Sequence, residues 1–430
     1  MHACKNWQVV AILSAALCGL TGPRLVAEEN EAETGPEPEF LTPGMLARVA
    51  SGADGGDGGV LGMLELSGSL DVSYVYNWNN AKLGGPENPV RVFDRFHNEF
   101  TVQNLILNIN KAATEESLWG FGFTPTVGTD AQLTQGGLDF GVGLSDVNNN
   151  VDLSVLEAYG TFRTPAGGVL GGIEIKAGKF LTTAGAEVIP SGDNAMFSRT
   201  FLFGNAIPFT HTGVIITKGF MEREGKDMVS ASVGFANGWD QVRNTNDGHT
   251  LLTSATLTPS DMLSLTANWF FGSINRAHAN AFGPATVSDN GSQSNLLDLV
   301  AKIEVPDYGI SALLNFDWYG DENDESAVGY SDYYGLAGVL RYDFDNPFAA
   351  NGDKFYLAFR GEFFDDADLF LIGGPANRQL WDLTWTLGYR PTDFLLCRFE
   401  VRYDKANANV FEDGIRSQQT TFAFNTVFTF

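Results

Sequence analysis

The chain has 430 residues, with 52 Asp and Glu against 26 Lys and Arg and a net charge of −26 at pH 7. That balance excludes nucleic acid and anionic lipid headgroups as principal partners, because both repel a strongly acidic surface. Its 33 Phe and 49 Gly are dispersed, and past the first residues no apolar run is long enough for a spanning helix.

Residues 1–27 read as a secretory signal. Lys5 precedes the apolar run Val9–Leu20, and Leu25-Val26-Ala27 ends on a small residue. Cys18 raises a lipoprotein signal instead, but Leu17 stands where a small residue is needed. Export is the expectation. Losing this segment removes Cys4 and Cys18 and leaves Cys397, which excludes an internal disulfide and a Cys-based zinc site. Residues 28–60 are acidic and rich in Gly and Pro, so they are expected to be a disordered periplasmic leader that buries no apolar surface. The Asp-Gly-Gly units at Asp54 and Asp57 faintly resemble a calcium repeat and are read as flexible linker.

From Met63 a period of two begins. Leu64, Leu66, Leu70, Val72, Tyr74 and Tyr76 alternate with Glu65, Ser67, Ser69, Asp71 and Ser73. About fifteen similar runs follow, each near the length of a tilted membrane-crossing strand. Short connections such as Pro165–Val169, Pro259–Asp261, Pro306–Asp307 and Pro391–Asp393 alternate with long ones such as Gly128–Asp152 and Leu181–His211. The last run, Thr420–Phe430, puts Phe422, Phe424, Phe428 and Phe430 on one face. A soluble protein avoids so apolar an edge, whereas a strand that closes a barrel in lipid requires it. Residues 61–430 are therefore expected to form an all-β transmembrane antiparallel barrel of about 16 strands, in a range of roughly 12–18, with short periplasmic turns and long extracellular loops. A soluble β-sandwich or β-helix is the rival fold, since Pro-Asp turns punctuate those too.

The alternation assigns Val233, Phe235, Leu265, Trp269, Leu314, Leu340, Trp385 and Phe399 to lipid, with Tyr308, Tyr389 and Phe394 as interfacial aromatics. Cys397 falls on the lipid face as well. The opposite face carries Glu157, Arg163, Glu174, Lys176, Asp298, Lys302, Glu304, Asp317, Arg341, Asp343, Arg360, Glu362, Arg398, Glu400, Arg402 and Asp404. Charges so regularly placed predict an aqueous lumen, because unpaired burial is very costly. Arg341, Arg360, Arg398 and Arg402 make either a basic ladder that sets up a transverse field or braces paired with Glu362, Glu400 and Asp404.

The segment from Gly178 to Gly213 is the most distinctive. Gly178-Lys179-Phe180, Gly185-Ala186-Glu187-Val188, Asn194, Ser198-Arg199 and Pro208-Phe209-Thr210-His211-Thr212-Gly213, with Tyr74, Tyr76 and Asn77 in the opening strand, resemble the β-barrel porin-2 (OmpL-like) family. The resemblance implies an outer-membrane porin-like barrel and lends no catalytic or binding positions. Phe197, Phe201, Phe203, Ile207 and Phe209 need burial. The segment is therefore expected to fold into the barrel mouth, either as a constriction lined by Glu187, Asp193, Arg199 and His211 or as packing against the inner wall.

Three functions stay open. The first is a porin-like channel for small hydrophilic solutes or ions, cation-preferring because acidic loops concentrate cations. The second is a closed surface scaffold or adhesin, in which Asp321–Glu325 or Asp365, Asp366 and Asp368 hold Ca²⁺. The third is an outer-membrane hydrolase built on Ser198, His211, Asp193 and Glu187, for which no Gly-x-Ser-x-Gly or His-Glu-x-x-His motif is present. No catalytic residue, cofactor or metal site is assigned. The partners implied are membrane lipid, lipopolysaccharide through divalent cations, the barrel-assembly machinery through Phe430, solutes, and two further copies in a homotrimer.

Overall fold

A computed structural model describes residues 64–79, 88–134, 152–167, 170–223, 226–244, 248–272, 293–321, 331–345, 354–366, 378–412 and 414–430. The expected signal and leader, most of the acidic stretch Asp321–Glu325, and Asp368 lie outside the described residues. Sixteen strands follow in order: β1 (Glu65–Asn77), β2 (Glu99–Lys111), β3 (Trp119–Gly128), β4 (Asp152–Arg163), β5 (Glu174–Leu181), β6 (Thr210–Arg223), β7 (Lys226–Ala236) and β8 (Thr250–Ser260), then β9 (Leu263–Gly272), β10 (Ser294–Val305), β11 (Ile310–Asp321), β12 (Ser331–Asp345), β13 (Lys354–Asp366), β14 (Arg378–Thr392), β15 (Leu395–Ala406) and β16 (Gln418–Thr429). Each pairs antiparallel with the next, and β1 pairs with β16, so the sheet closes into a barrel. Closure leaves every strand with two neighbours, which is the only way a sheet satisfies its backbone in hydrocarbon.

The lipid face follows from the alternation. Phe100, Phe123, Phe235, Leu314, Leu336, Leu340, Leu357 and Phe399 are all exposed and form a continuous apolar band. Two aromatic rows bound it across β12–β14. Tyr342, Phe344, Phe355 and Tyr389 stack with centroids 5.7, 5.8 and 4.6 Å apart, on the side of the short turns. Tyr334, Phe363 and Trp381 meet at 6.1 and 5.7 Å on the other side. Phe355 and Phe363 on β13 are separated by about 26 Å of strand, at ~3.3 Å per residue, close to the height of an outer-membrane apolar band.

Two local departures have plain causes. Pairing of β3 with β4 slips at Pro125, leaving Leu156 without a partner in the ladder. Proline has no N–H to donate there, so a bulge forms and Leu156 is buried in the interior. Strand β6 begins at Thr210, so His211 is not a loop residue. It pairs with Phe180 in the β5–β6 ladder because the chain has already rejoined the sheet.

The core of the protein lies within the barrel. Phe180, Ile215, Leu252, Phe270, Leu296, Tyr319, Tyr333, Phe364, Leu380 and Ala406, drawn from strands between β5 and β15, pack on Phe201, Leu202, Phe203, Ile207 and Phe209 from the connection after β5. Tyr319 and Tyr333 stack at 4.7 Å.

Closure itself depends on one small residue. Gly68 N–H donates to Phe430 O (2.8 Å), and Phe430 N–H returns the bond to Gly68 O (3.0 Å). A Cβ on Gly68 would sit 2.5 Å from both the Phe430 ring and the Ile106 carbonyl oxygen. Gly68→Leu is expected to destabilise the closed barrel by more than the ~1–3 kcal/mol of ordinary overpacking, because backbone obstructs one side. Loss of the heat-modifiable fast band in cold SDS electrophoresis measures it.

Candidate functional site: the loop inside the barrel

Residues 182–209 turn back into the barrel instead of standing above it. Gly185 takes φ +93°, Ser191–Asp193 form a single 3-10 turn, and Leu202–Ala206 form one π turn. So irregular a backbone leaves N–H and C=O groups without internal partners, and in a dry interior each of them needs one. The wall of β13–β16 supplies them with charge.

Wall carboxylates take the donors. Glu400 accepts the N–H groups of Phe197 (2.9 Å) and Ser198 (3.1 Å). Glu362 accepts those of Phe201 and Leu202, both at 2.8 Å. Within the loop, Glu187 accepts the Thr200 N–H (2.8 Å) and hydroxyl (2.6 Å). Wall guanidiniums take the acceptors. Arg360 donates to Ser198 O (2.6 Å), Arg402 to Arg199 O (2.5 Å), and Arg398 to Ser191 O (2.8 Å) and Asn194 O (3.1 Å). Charge-assisted bonds of this kind contribute about 1.5–3 kcal/mol each. The guanidiniums are then balanced from behind. Asp382 meets Arg360 (2.6 Å) and Arg402 (2.9 Å), and Asp404 meets Arg402 (2.7 Å) and Arg91 (2.6 Å).

The sequence expectations are redistributed by this geometry. Arg360, Arg398 and Arg402 are each at most 1% exposed and face the loop backbone, not open water. Glu362 and Glu400 spend their oxygens on loop N–H groups, and of the three expected braces Asp404 is the one that forms an ion pair, with Arg402. Arg341 stands apart from that trio: half-buried, it pairs with Asp343 (2.5 Å) and lies 3.9 Å over the Tyr356 ring. Glu187 and Arg199 are buried. Arg199 donates to Phe197 O (2.5 Å) and Ile189 O, and lies 4.7 Å over the Phe93 ring. His211 is buried against Phe270 (5.2 Å, perpendicular), its Nδ1 on Gly238 O and its Nε2 on Thr182 Oγ1. Ser198 Oγ is held by Arg360 (3.0 Å), so Ser198 and His211 are not hydrogen-bonded to each other.

Water-facing groups gather toward the short turns. Asp193 is exposed and lines a cavity of about 410 Å³ with Lys302, Glu304, Ser311, Arg341 and Asp343. Glu157 accepts the Leu181 N–H (3.2 Å), Glu174 stands opposite Arg163, and Lys176 Nζ lies 4.4 Å over the Tyr159 ring. Thr217, Ser232, Ser254, Thr256 and Thr266 continue this half-exposed inner surface. The lumen thus has a dry end and a wet end. The anchor is completed by Asp71, which accepts the Ser191 hydroxyl, by Asn425, which accepts from Arg398, and by Asp94, which pairs with Arg91; of the completing groups Arg91, Asp94, Asp382 and Asn425 were not singled out by sequence reasoning. The available signal was the alternation of charge sign at every second residue, in Arg360/Glu362 and in Arg398/Glu400/Arg402/Asp404.

Two expectations follow. Arg360→Met leaves the Ser198 carbonyl without its donor and Asp382 with Arg402 alone in a dry site, and is expected to cost roughly 3–5 kcal/mol, read as a lower thermal midpoint in detergent. Asp130, in the buried turn Asp130–Thr134, has its carboxyl pushed up to about 8 by burial, against partial opposition from Arg199. Its folded value lies above its unfolded one, so the folded state holds the extra proton and stability falls as pH rises from about 4 to about 8. Asp130→Asn is expected to flatten that fall in midpoints measured across the range.

Comparison with solved structures returns outer-membrane proteins, a porin among them. An anion-selective porin from Comamonas acidovorans superposes with TM-score 0.52 at 10% identity, covering 85% of this chain and 99% of that one. OmpT of Vibrio cholerae in trimer form gives 0.50 at 11% identity, over 85% and 99%. OprB of Pseudomonas putida gives 0.50 at 11% identity, over 85% and 94%. At these identities the likeness establishes the fold. No curated protein matches the chain in sequence. The family model described as "Putative beta-barrel porin-2, OmpL-like" matches residues 63–430, and the chain belongs to that family of outer-membrane barrels.

Proposed function

We propose that the protein is a loop-restricted diffusion channel for small hydrophilic solutes or ions across the outer membrane. The observation that carries this reading is the wet periplasmic half of the lumen, lined by hydroxyls and mixed charge, which ends on the inserted loop. A barrel that served only as a shell would gain nothing from water-facing Lys302, Glu304, Arg341 and Asp343 around a 410 Å³ cavity. Passage then depends on how far the loop yields, so unitary conductance is small. A slight cation preference at low salt is supported by the net charge of −26, which concentrates cations around the channel. The reading also includes export by residues 1–27, lipopolysaccharide at the acidic loops, recognition of Phe430 by the assembly machinery, and a homotrimer of the kind named for Vibrio cholerae OmpT. It assigns no catalytic step.

The dry core spanning β5 to β15 favours a second reading, a closed surface scaffold. Planar-bilayer recording separates the two. The channel reading expects small, cation-leaning conductance from the wild type, and larger or longer openings from Glu362→Gln/Glu400→Gln, which weakens the loop anchor. Silence from both proteins establishes the scaffold, and a reversal potential with clear anion preference overturns the selectivity.

A further inference from the structure

We infer that Asp298, Asp317 and Asn268 bind one hard cation in the barrel wall, at the level where the dry interior meets the wet end. Asp298 on β10 stands directly opposite Asp317 on β11 and Asn268 on β9. The period of two turns all three inward. Asn315 lies one pleat from Asp317. Its Nδ2 donates to Asp298 Oδ2 (2.7 Å) and Asp317 Oδ1 (3.1 Å), and Asn268 Nδ2 donates to Asp298 Oδ1 (2.6 Å). All four residues are at most 5% exposed.

These amides hold two carboxylates side by side where like charges repel strongly. Arg360 and Arg402, the wall guanidiniums, are committed to Glu187, Asp382 and Asp404. Among the described residues no Lys or Arg forms an ion pair with either Asp298 or Asp317. Two buried acceptors in the cluster, Asp317 Oδ2 and Asn268 Oδ1, receive no hydrogen bond from the described residues. A proton shared by the carboxylates would serve Asp317 and leave Asn268 orphaned. A cation takes Asp317 Oδ2 and, once half a turn of the Asn268 amide exchanges Oδ1 for the Nδ2 that now faces Asp298, Asn268 Oδ1 as well, with Asp298 Oδ1 bonding the ion in place of that N–H. The donors are all carboxylate or amide oxygens, the set that suits Ca²⁺ or Mg²⁺ and not a soft metal. The site also reaches the inserted loop: Asn315 Oδ1 accepts the Ala186 N–H (3.3 Å). A cation that fixes Asp298 and Asp317 therefore fixes a loop anchor.

The test is calorimetric titration of Ca²⁺, with Mg²⁺ in parallel, into chelator-treated full-length protein in detergent. Wild type is expected to bind one equivalent more than Asp317→Asn, and Ca²⁺ is expected to raise its thermal midpoint but not that of the variant. Asn268→Ala is expected to bind that equivalent weaker by about tenfold, having lost one neutral ligand. Acidic loops are common to all three proteins and cancel in the comparison. Should Asp317→Asn fail to refold, Tb³⁺ luminescence excited through Tyr319 in wild type and Asn268→Ala, displaced by Ca²⁺, decides the matter. Equal stoichiometry and equal midpoint response in wild type and variants would overturn the site. So would an Asp317→Asn protein more stable than wild type with and without Ca²⁺, which reports a shared proton. Neither readout uses conductance, so this inference and the channel reading fail separately.

Discussion

A loop folded inside a barrel must find partners for its own peptide groups, and that requirement organises the interior. Residues 182–209 have no helix or ladder long enough to satisfy themselves. The wall answers with carboxylates for N–H groups and guanidiniums for carbonyls. Each such bond draws an ionised group away from water, so the charges must in turn be balanced, and Asp382 and Asp404 do this from the wall itself. Remove the loop and water would have to take over the bonds these side chains now make to its backbone.

Placing the anchor on β13–β16 divides the barrel. Aromatic side chains of the loop meet Tyr319, Tyr333, Phe364 and Phe270, and together they dry the end nearer the long connections. Toward the short turns the inward face keeps its water, with hydroxyls and exposed ions. The proposed restricted diffusion rests on this asymmetry, in which a polar vestibule ends on a packed surface before the far side. The Asp298–Asp317 pair lies on that boundary and touches the loop through Asn315. The proposed ion would act on the same element that the channel reading makes its restriction.

Much of the barrel was legible along the chain because membrane strands obey a strict rule: one face must suit hydrocarbon, and every edge must be paired. Val233, Phe235, Leu314 and Phe399 announce their side by period alone, and the C-terminal Phe residues mark the closing strand. The interior obeys no such local rule. Arg360 on β13 and Lys302 on β10 read alike, as inward cations at alternating positions. One is fully buried on a loop carbonyl and the other stands in water, and only the height at which the loop crosses decides which is which. His211 shows the same limit, since its imidazole was readable as a loop group until pairing with Phe180 placed it in β6.

The amino-acid order by itself determined the sixteen alternating runs, the sorting of long and short connections and the presence of one aromatic-rich connection too apolar for water, because these depend on neighbours within a few residues. Tertiary structure alone decided that the inward charges of β13 and β15 grip a backbone, and that Asp298 and Asp317 share one dry site. Those outcomes join residues far apart in the chain, such as Ser198 with Arg360 and Ala186 with Asn315, whose meeting no local pattern records.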